Sequence, residues 1–247
     1  MGSDLTPVEE HAGVWVKRDD LFEPFGRGVR GGKVRACLQL SEGAIGLVTA
    51  SSRVSPQAEC VARVAELRGI PARIHVPQGP ETRELAAAVA AGAEIVMWRP
   101  GHNSVIVARA RQDAATRGWA LVPFGMECAE AVAATRRQTA NLPSCTRVVV
   151  PVGSGMSLAG ILWGLLDREM YVPVLGIRVG ADPSRRLDRW APPVWWAWVR
   201  MVEPAAGYHH PVEANLGGLA LDPYYEAKCV SYLRPGDLFW VVGRRGE

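Results

Sequence analysis

The sequence predicts an α/β protein of two domains built on open, twisted parallel sheets. Short β-branched runs alternate with helical patterns along most of the chain, and glycine or proline marks the junctions. Hydrophobic residues make up 48% of the 247 positions, enough for a sizeable core. Strands that alternate with helices at this spacing form parallel sheets covered on both faces.

Taken in order, residues 14–17 alternate as a strand and run into Arg18, Asp19 and Asp20. A glycine-rich turn over 26–32 leads into a helix over 33–40, followed by a short buried strand at 45–49. Residues 55–68 place Ala58, Val61, Ala62 and Ala65 at helical spacing, with Gly69 as the stop. A strand at 72–76, an alanine-rich helix at 81–91, a strand at 94–98 and a helix from Asn103 or Ser104 to Arg117 follow. The second half repeats the rhythm: strand 119–122, helix 127–140, strand 147–152, a glycine-rich turn and helix ending near Asp167, then strands 174–179 and 238–242.

Composition narrows the class. The net charge of +3 selects no partner, and no apolar run reaches the length of a membrane span. Residues 1–10 are polar and acidic, with no secretory pattern, so a soluble, cytoplasmic protein is expected. The five cysteines are scattered and form no C-x-x-C pair; reduced thiols are expected, and no metal. His209 and His210 read as a surface pair. The basic side is almost wholly arginine, leaving three lysines: Lys17, Lys33 and Lys228. An arginine stays protonated and forms no imine, whereas a lysine amine can lose its proton.

Three constellations carry chemistry. Gly31, Gly32 and Lys33 stand at a helix start, where the glycines allow close backbone approach and the dipole favours a neutral amine. An exposed surface lysine is the alternative. Gly153, Ser154, Gly155, Met156 and Ser157 follow a buried strand and open a helix, an arrangement whose N–H groups point at an anion. A dinucleotide pattern fails there, because its third glycine falls on Leu158 and the nearest carboxylate, Asp182, comes late; a single phosphate fits best. Finally, Asp222 and Pro223 read as a helix start, followed by Tyr224, Tyr225 and Glu226, a phenol and a carboxylate suited to acid–base work or to a heterocycle nitrogen.

Together these pieces resemble the tryptophan-synthase-β-like, fold type II family of pyridoxal-phosphate (PLP) enzymes, closest to its 1-aminocyclopropane-1-carboxylate deaminase and D-cysteine desulfhydrase branch. Five ordered stretches carry the resemblance: 16–21 (VKRDDL), 31–35 (GGKVR), 49–57 (TASSRVSPQ), 153–160 and 221–228 (LDPYYEAK). The resemblance implies PLP held as a Schiff base on Lys33, which later shuttles protons. It places the cofactor phosphate in the turn from Gly153 to Ser157, Glu226 near the pyridine nitrogen, and Ser55 and Tyr225 near the substrate, with Ser52, Gln57 and Tyr224 as further substrate contacts. A small domain over 41–122 and a large domain from 1–40 with 123–247 are expected, with PLP in the cleft, a small amino acid as substrate, and a homodimer as the assembly to test. Elimination, replacement or deamination at Cα or Cβ would follow.

The chain departs from the family pattern at Gly32 and Pro56, each in place of an asparagine, and at 242–245, where a Gly-Gly ending is replaced. Material is also missing between Val179 and Leu221. Two other functions stay open. One is a PLP enzyme acting on an amino acid bound for, or attached to, a modified base in DNA, motivated by arginine richness and by the tryptophans of 190–198 (WAPPVWWAW), which read as a packed lid, an oligomer contact or a stacking platform. The other is a non-catalytic module that keeps the fold, motivated by Pro56.

Overall fold

A computed structural model describes residues 5–22 and 30–243. The expected turn over 26–32 therefore lies mostly outside the described residues. The chain forms two compact units, Lys33–Glu130 and Met1–Gly32 with Ala131–Glu247.

In the unit Lys33–Glu130, four parallel strands stand in the order Glu94–Trp98, Ala72–Pro77, Leu47–Ala50, Ala120–Val122. The central strand, Leu47–Ala50, is buried at every residue, as a strand covered on both faces must be. Helices Gln57–Arg68, Arg83–Ala90 and Asn103–Arg117 make the crossovers. Val48 and Ala50 pack on Ile106, Ala110 and Ala114, whose spacing lines one face of the last helix. Gly69 and Gly118 close their helices in the left-handed conformation, φ 65° and 67°. The helix expected from residue 55 begins at Gln57. Pro56 sits at its N-cap with φ −59°, where the missing N–H is no loss and its carbonyl accepts from Cys60 N at 3.0 Å.

In the other unit, six strands run in the order Val8–His11, Val14–Arg18, Asp237–Val241, Arg147–Val152, Val174–Arg178, Val199–Val202. All neighbours are parallel except the first pair, a hairpin. Val16, Val149, Ile177, Phe239 and Val241 form the centre of its core. Helix Met156–Asp167 crosses the preceding helical segment on its glycines: a β-carbon at Gly160 would stand 2.6 Å from Thr135 Cβ, and one at Gly164 2.3 Å from Thr139 Oγ1. The helix expected over 127–140 is Ala129–Arg137, and its end tightens into a 3₁₀ turn, Gln138–Asn141. Among the described residues no helix is long and apolar enough to cross a membrane.

The shortened stretch after Val179 holds helix Ser184–Trp190, edge strand Val199–Val202 and a small hairpin, Asn215–Leu216 with Leu219–Ala220. Asp182, late for a ribose contact, accepts from Ser184 N at 2.9 Å and thereby starts that helix. The tryptophans form no single platform. Trp195 is buried and donates to Asp188 at 3.0 Å, Trp198 meets Tyr171 edge-on, and Trp196 is 62% exposed.

Candidate active site

The start of helix Gly31–Leu40 contains no side chain able to cap it, since its opening residues are Gly31, Gly32 and Lys33. Asp19 supplies the missing acceptor from the strand end: its Oδ2 takes the Gly32 N–H at 3.2 Å. The approach is close enough to exclude side chains. A β-carbon at Gly31 would lie 2.4 Å from Asp19 O, and one at Gly32 2.9 Å from Thr135 Oγ1 and 4.0 Å from Ser157 Oγ. Gly32 thus stands where an asparagine would collide, beside Ser157 of the glycine turn.

Lys17 is fully buried and donates to Thr6 O at 2.7 Å and Asn141 Oδ1 at 2.6 Å. Arg18 bridges Glu9 and Asp20, at 2.6 and 2.8 Å. Lys228 is 3% exposed and donates to Gly207 O at 2.7 Å. Lys17 and Lys228 thus donate to backbone carbonyls, and Lys33, third in its helix, is half-buried.

The turn from Gly153 to Ser157 follows a strand buried along nearly its whole length and precedes a long apolar helix. Gly155 takes φ 87° at the N-cap, a conformation that favours glycine. Met156 and Leu158 turn into the core, while Gly153, Ser154 and Ser157 stay half-buried. The leading N–H groups of such a helix lack intrahelical acceptors and attract an anion.

Tyr225 and Glu226 come to this turn from the C-terminal side. A β-carbon on Gly153 would stand 2.0 Å from Tyr225 Oη, so only glycine admits the phenol there. The segment enters not as an α-helix but as a turn. Asp222 Oδ1 accepts from Tyr224 N at 2.9 Å, and a 3₁₀ segment, Glu226–Tyr232, follows. Glu226 is fully buried. Its Oε1 accepts from Gly243 N at 3.3 Å, and its Oε2 has no hydrogen-bond partner among the described residues. Burial pushes its pKa up to about 8, against the pull of Arg30. Burial also pushes the Tyr225 phenol well above its ordinary range.

The candidate residues of the other unit stand around the start of helix Gln57–Arg68. Ser55 Oγ accepts from Gln57 N at 3.3 Å, and Ser52 O accepts from Ser55 N at 3.1 Å. Gln57 is 1% exposed. Its amide nitrogen bonds Thr49 Oγ1 at 2.9 Å and Pro123 O at 2.8 Å, and its Oε1 has no hydrogen-bond partner among the described residues. Sequence reasoning passed over Asp19, Thr135, Arg30 and Gly243. Only Asp19 left a signal, as a carboxylate between a strand and an uncapped glycine helix start.

Comparison with known proteins shows the family. A family model described as pyridoxal-phosphate dependent enzyme matches residues 4–192. The L-threonine ammonia-lyase of Geobacter sulfurreducens is 29% identical over 142 residues, 56% of this chain and 35% of that protein. The chain thus spans about a third of that relative's length. The crystal structure of an ACC deaminase homologue superposes with a TM-score of 0.80 at 20% identity, over 97% of this chain and 89% of the other. Serine racemase from Dictyostelium discoideum gives 0.69 at 11% identity, over 98% and 92%.

The residues present fit such a cofactor. Glu226 has a buried oxygen without a hydrogen-bond partner among the described residues, and the Gly153–Ser157 turn opens a helix whose N-terminus attracts an anion.

Proposed function

Because the chain belongs to the family of pyridoxal-phosphate dependent enzymes, we propose that it works on the Cα or Cβ of a small amino acid, with Lys33 as the covalent attachment point. When bound, the cofactor supplies an electron sink for negative charge developing at Cα. Binding and proton handling fall to the chain's own groups.

In this reading the N–H groups of the turn from Gly153 to Ser157, with the Ser154 and Ser157 hydroxyls, grip the phosphate. Glu226 Oε2 holds a proton at the ring nitrogen. Lys33 Nζ takes and returns the proton at Cα. Tyr225 Oη, kept protonated by burial, acts as a hydrogen-bond donor beside the turn. Ser55 orients the substrate, and Ser52, Gln57 and Tyr224 are further candidate contacts. Elimination or deamination is the reaction class we favour, since the similar proteins include an L-threonine ammonia-lyase and an ACC deaminase homologue.

The observation that carries the reading is the convergence on the glycine turn. Tyr225 Oη occupies the place of a side chain on Gly153, and the next residue, Glu226, holds an unpartnered buried oxygen among the described residues. Adding pyridoxal phosphate to the purified protein should produce an absorbance band near the visible edge. A screen of D- and L-amino acids should then shift that band. A bound band that no amino acid moves would favour a non-catalytic module.

A second reading keeps the cofactor and places the amino acid on a nucleic-acid base. It draws on Trp196, 62% exposed, in a segment where Arg189 and Arg200 are also exposed. DNA binding that weakens with added salt would support it, and amino-acid turnover without nucleic acid would favour the first.

A further inference from the structure

Arg30 stands three residues before Lys33 and belongs to none of the motifs. It is 8% exposed, and its guanidinium lies over the Tyr225 ring with Cζ 4.4 Å from the centroid. Nη2 is 3.5 Å from Asp222 Oδ2, and Nη1 is 3.8 Å from Glu226 Oε1. Charge-assisted hydrogen bonds run about 2.7–2.9 Å, so these contacts are too long for a clamp. Nε has no hydrogen-bond partner among the described residues. The side chain acts on the two carboxylates through space, as a charge that persists in a buried setting.

Its placement divides the two oxygens of Glu226. Oε1 faces Arg30 and accepts from Gly243 N, while Oε2 is buried and unpartnered among the described residues. The other charges felt by Glu226 are Asp222 and Asp20, both of which oppose its ionisation, and Arg30 is the cation set against them. Arg30 in turn feels Glu226, Asp222, Tyr225 and Tyr208.

We infer that Arg30 is a positioning residue for the cofactor's electronics: with the cofactor bound, its charge on the Oε1 side and the ring nitrogen's proton on the Oε2 side together hold Glu226 as a carboxylate. The inference rests on the assignment of Glu226 proposed above. The physical reason is alternation of sign. A cation on one side of a carboxylate and a protonated ring on the other attract it from both sides, and the two cations are held apart by the carboxylate between them. Without Arg30, ionising the buried Glu226 opposite the ring costs more, and the ring nitrogen loses its counter-charge.

The test uses full-length holoenzyme loaded with pyridoxal phosphate carrying ¹⁵N at the ring nitrogen. The ring ¹⁵N resonance is compared in wild type, Arg30→Met, Arg30→Lys and Glu226→Gln at one pH. Wild type and Arg30→Lys should show the protonated ring, and Arg30→Met should move toward the neutral one. Arg30→Gln replaces Arg30→Met if the latter does not fold, with the same expectation. A neutral variant at the wild-type resonance overturns the inference, as does Arg30→Lys shifting as far as Arg30→Met. Glu226→Gln separates the two levels. If it shifts while the neutral Arg30 variant does not, the inference about Arg30 alone fails; if it does not shift, the assignment of Glu226 fails, and the inference with it.

Discussion

The phenol oxygen of Tyr225 stands 2.0 Å from the point where a side chain on Gly153 would begin. Gly153→Ala should therefore lose stability by about 1–3 kcal/mol through overpacking and should weaken cofactor binding. Tyr225→Phe removes the obstructing oxygen and leaves the ring carbon Cζ, at 3.1 Å, as the nearest atom. The alanine should thus cost measurably less in the phenylalanine background. Urea unfolding and cofactor titration of the four proteins of this cycle check the coupling, and strict additivity would contradict it.

Glu226 gives the cofactor-free protein a pH signature. Burial raises its pKa to about 8 in the folded chain, from an ordinary 4.5. Between those values the folded state holds a proton that the unfolded state has released. Stability should fall as pH rises through this window, by up to about 1.4 kcal/mol per pH unit from this group, and level off above it. Glu226→Gln removes the titration, so its urea midpoint should decline less between pH 5 and pH 8 than that of the wild type. Parallel midpoint profiles would argue against a buried, proton-holding carboxylate.

Asp19 caps the helix that carries Lys33, through the Gly32 N–H. Asp19→Ala should destabilise the protein by about 1–2 kcal/mol, as the loss of an N-cap does. Hydrogen exchange should quicken at the start of that helix more than in the Leu47–Ala50 strand. Uniform quickening would show that the carboxylate has no local role.

The thiols should react in a fixed order. A hydrogen bond from Cys60 and burial together push the Cys37 thiol well up, and burial, with the nearby Glu226, does so at Cys229. Cys145 is the half-buried one. In the folded protein a thiol reagent should modify Cys145 first, leaving the other four until denaturant is added. Rapid native labelling at Cys37 would contradict its complete burial.

The alternation of strands and helices was legible because buried parallel strands read as apolar runs and their helices stop at glycines such as Gly69 and Gly118. Four strands among the described residues escaped, two of them the two-residue strands of the hairpin Asn215–Leu216 with Leu219–Ala220, too short to show a period. Val8–His11 is an edge strand with a polar sequence, and Val199–Val202 follows a run of tryptophans and prolines that carries no periodicity. The lysine helix was placed two residues late, because glycines read as a turn when no capping partner is visible. Its acceptor, Asp19, is remote in sequence, and only the fold brings it there. Pro56 and Gly32 looked like losses against the family pattern. Each has a local reason: one begins a helix, and the other makes room for Thr135. Arg30 gave no sign, since an arginine before a glycine pair fits any surface loop, and Gly243 stood out only as part of the altered ending at 242–245.

The central claim concerns one amine. Borohydride reduction of the protein loaded with pyridoxal phosphate, followed by peptide mass mapping, should place the phosphopyridoxyl group on Lys33, with Lys17 and Lys228 unlabelled. Label on either of those lysines, or none anywhere in a protein that has taken up the cofactor, would contradict the account.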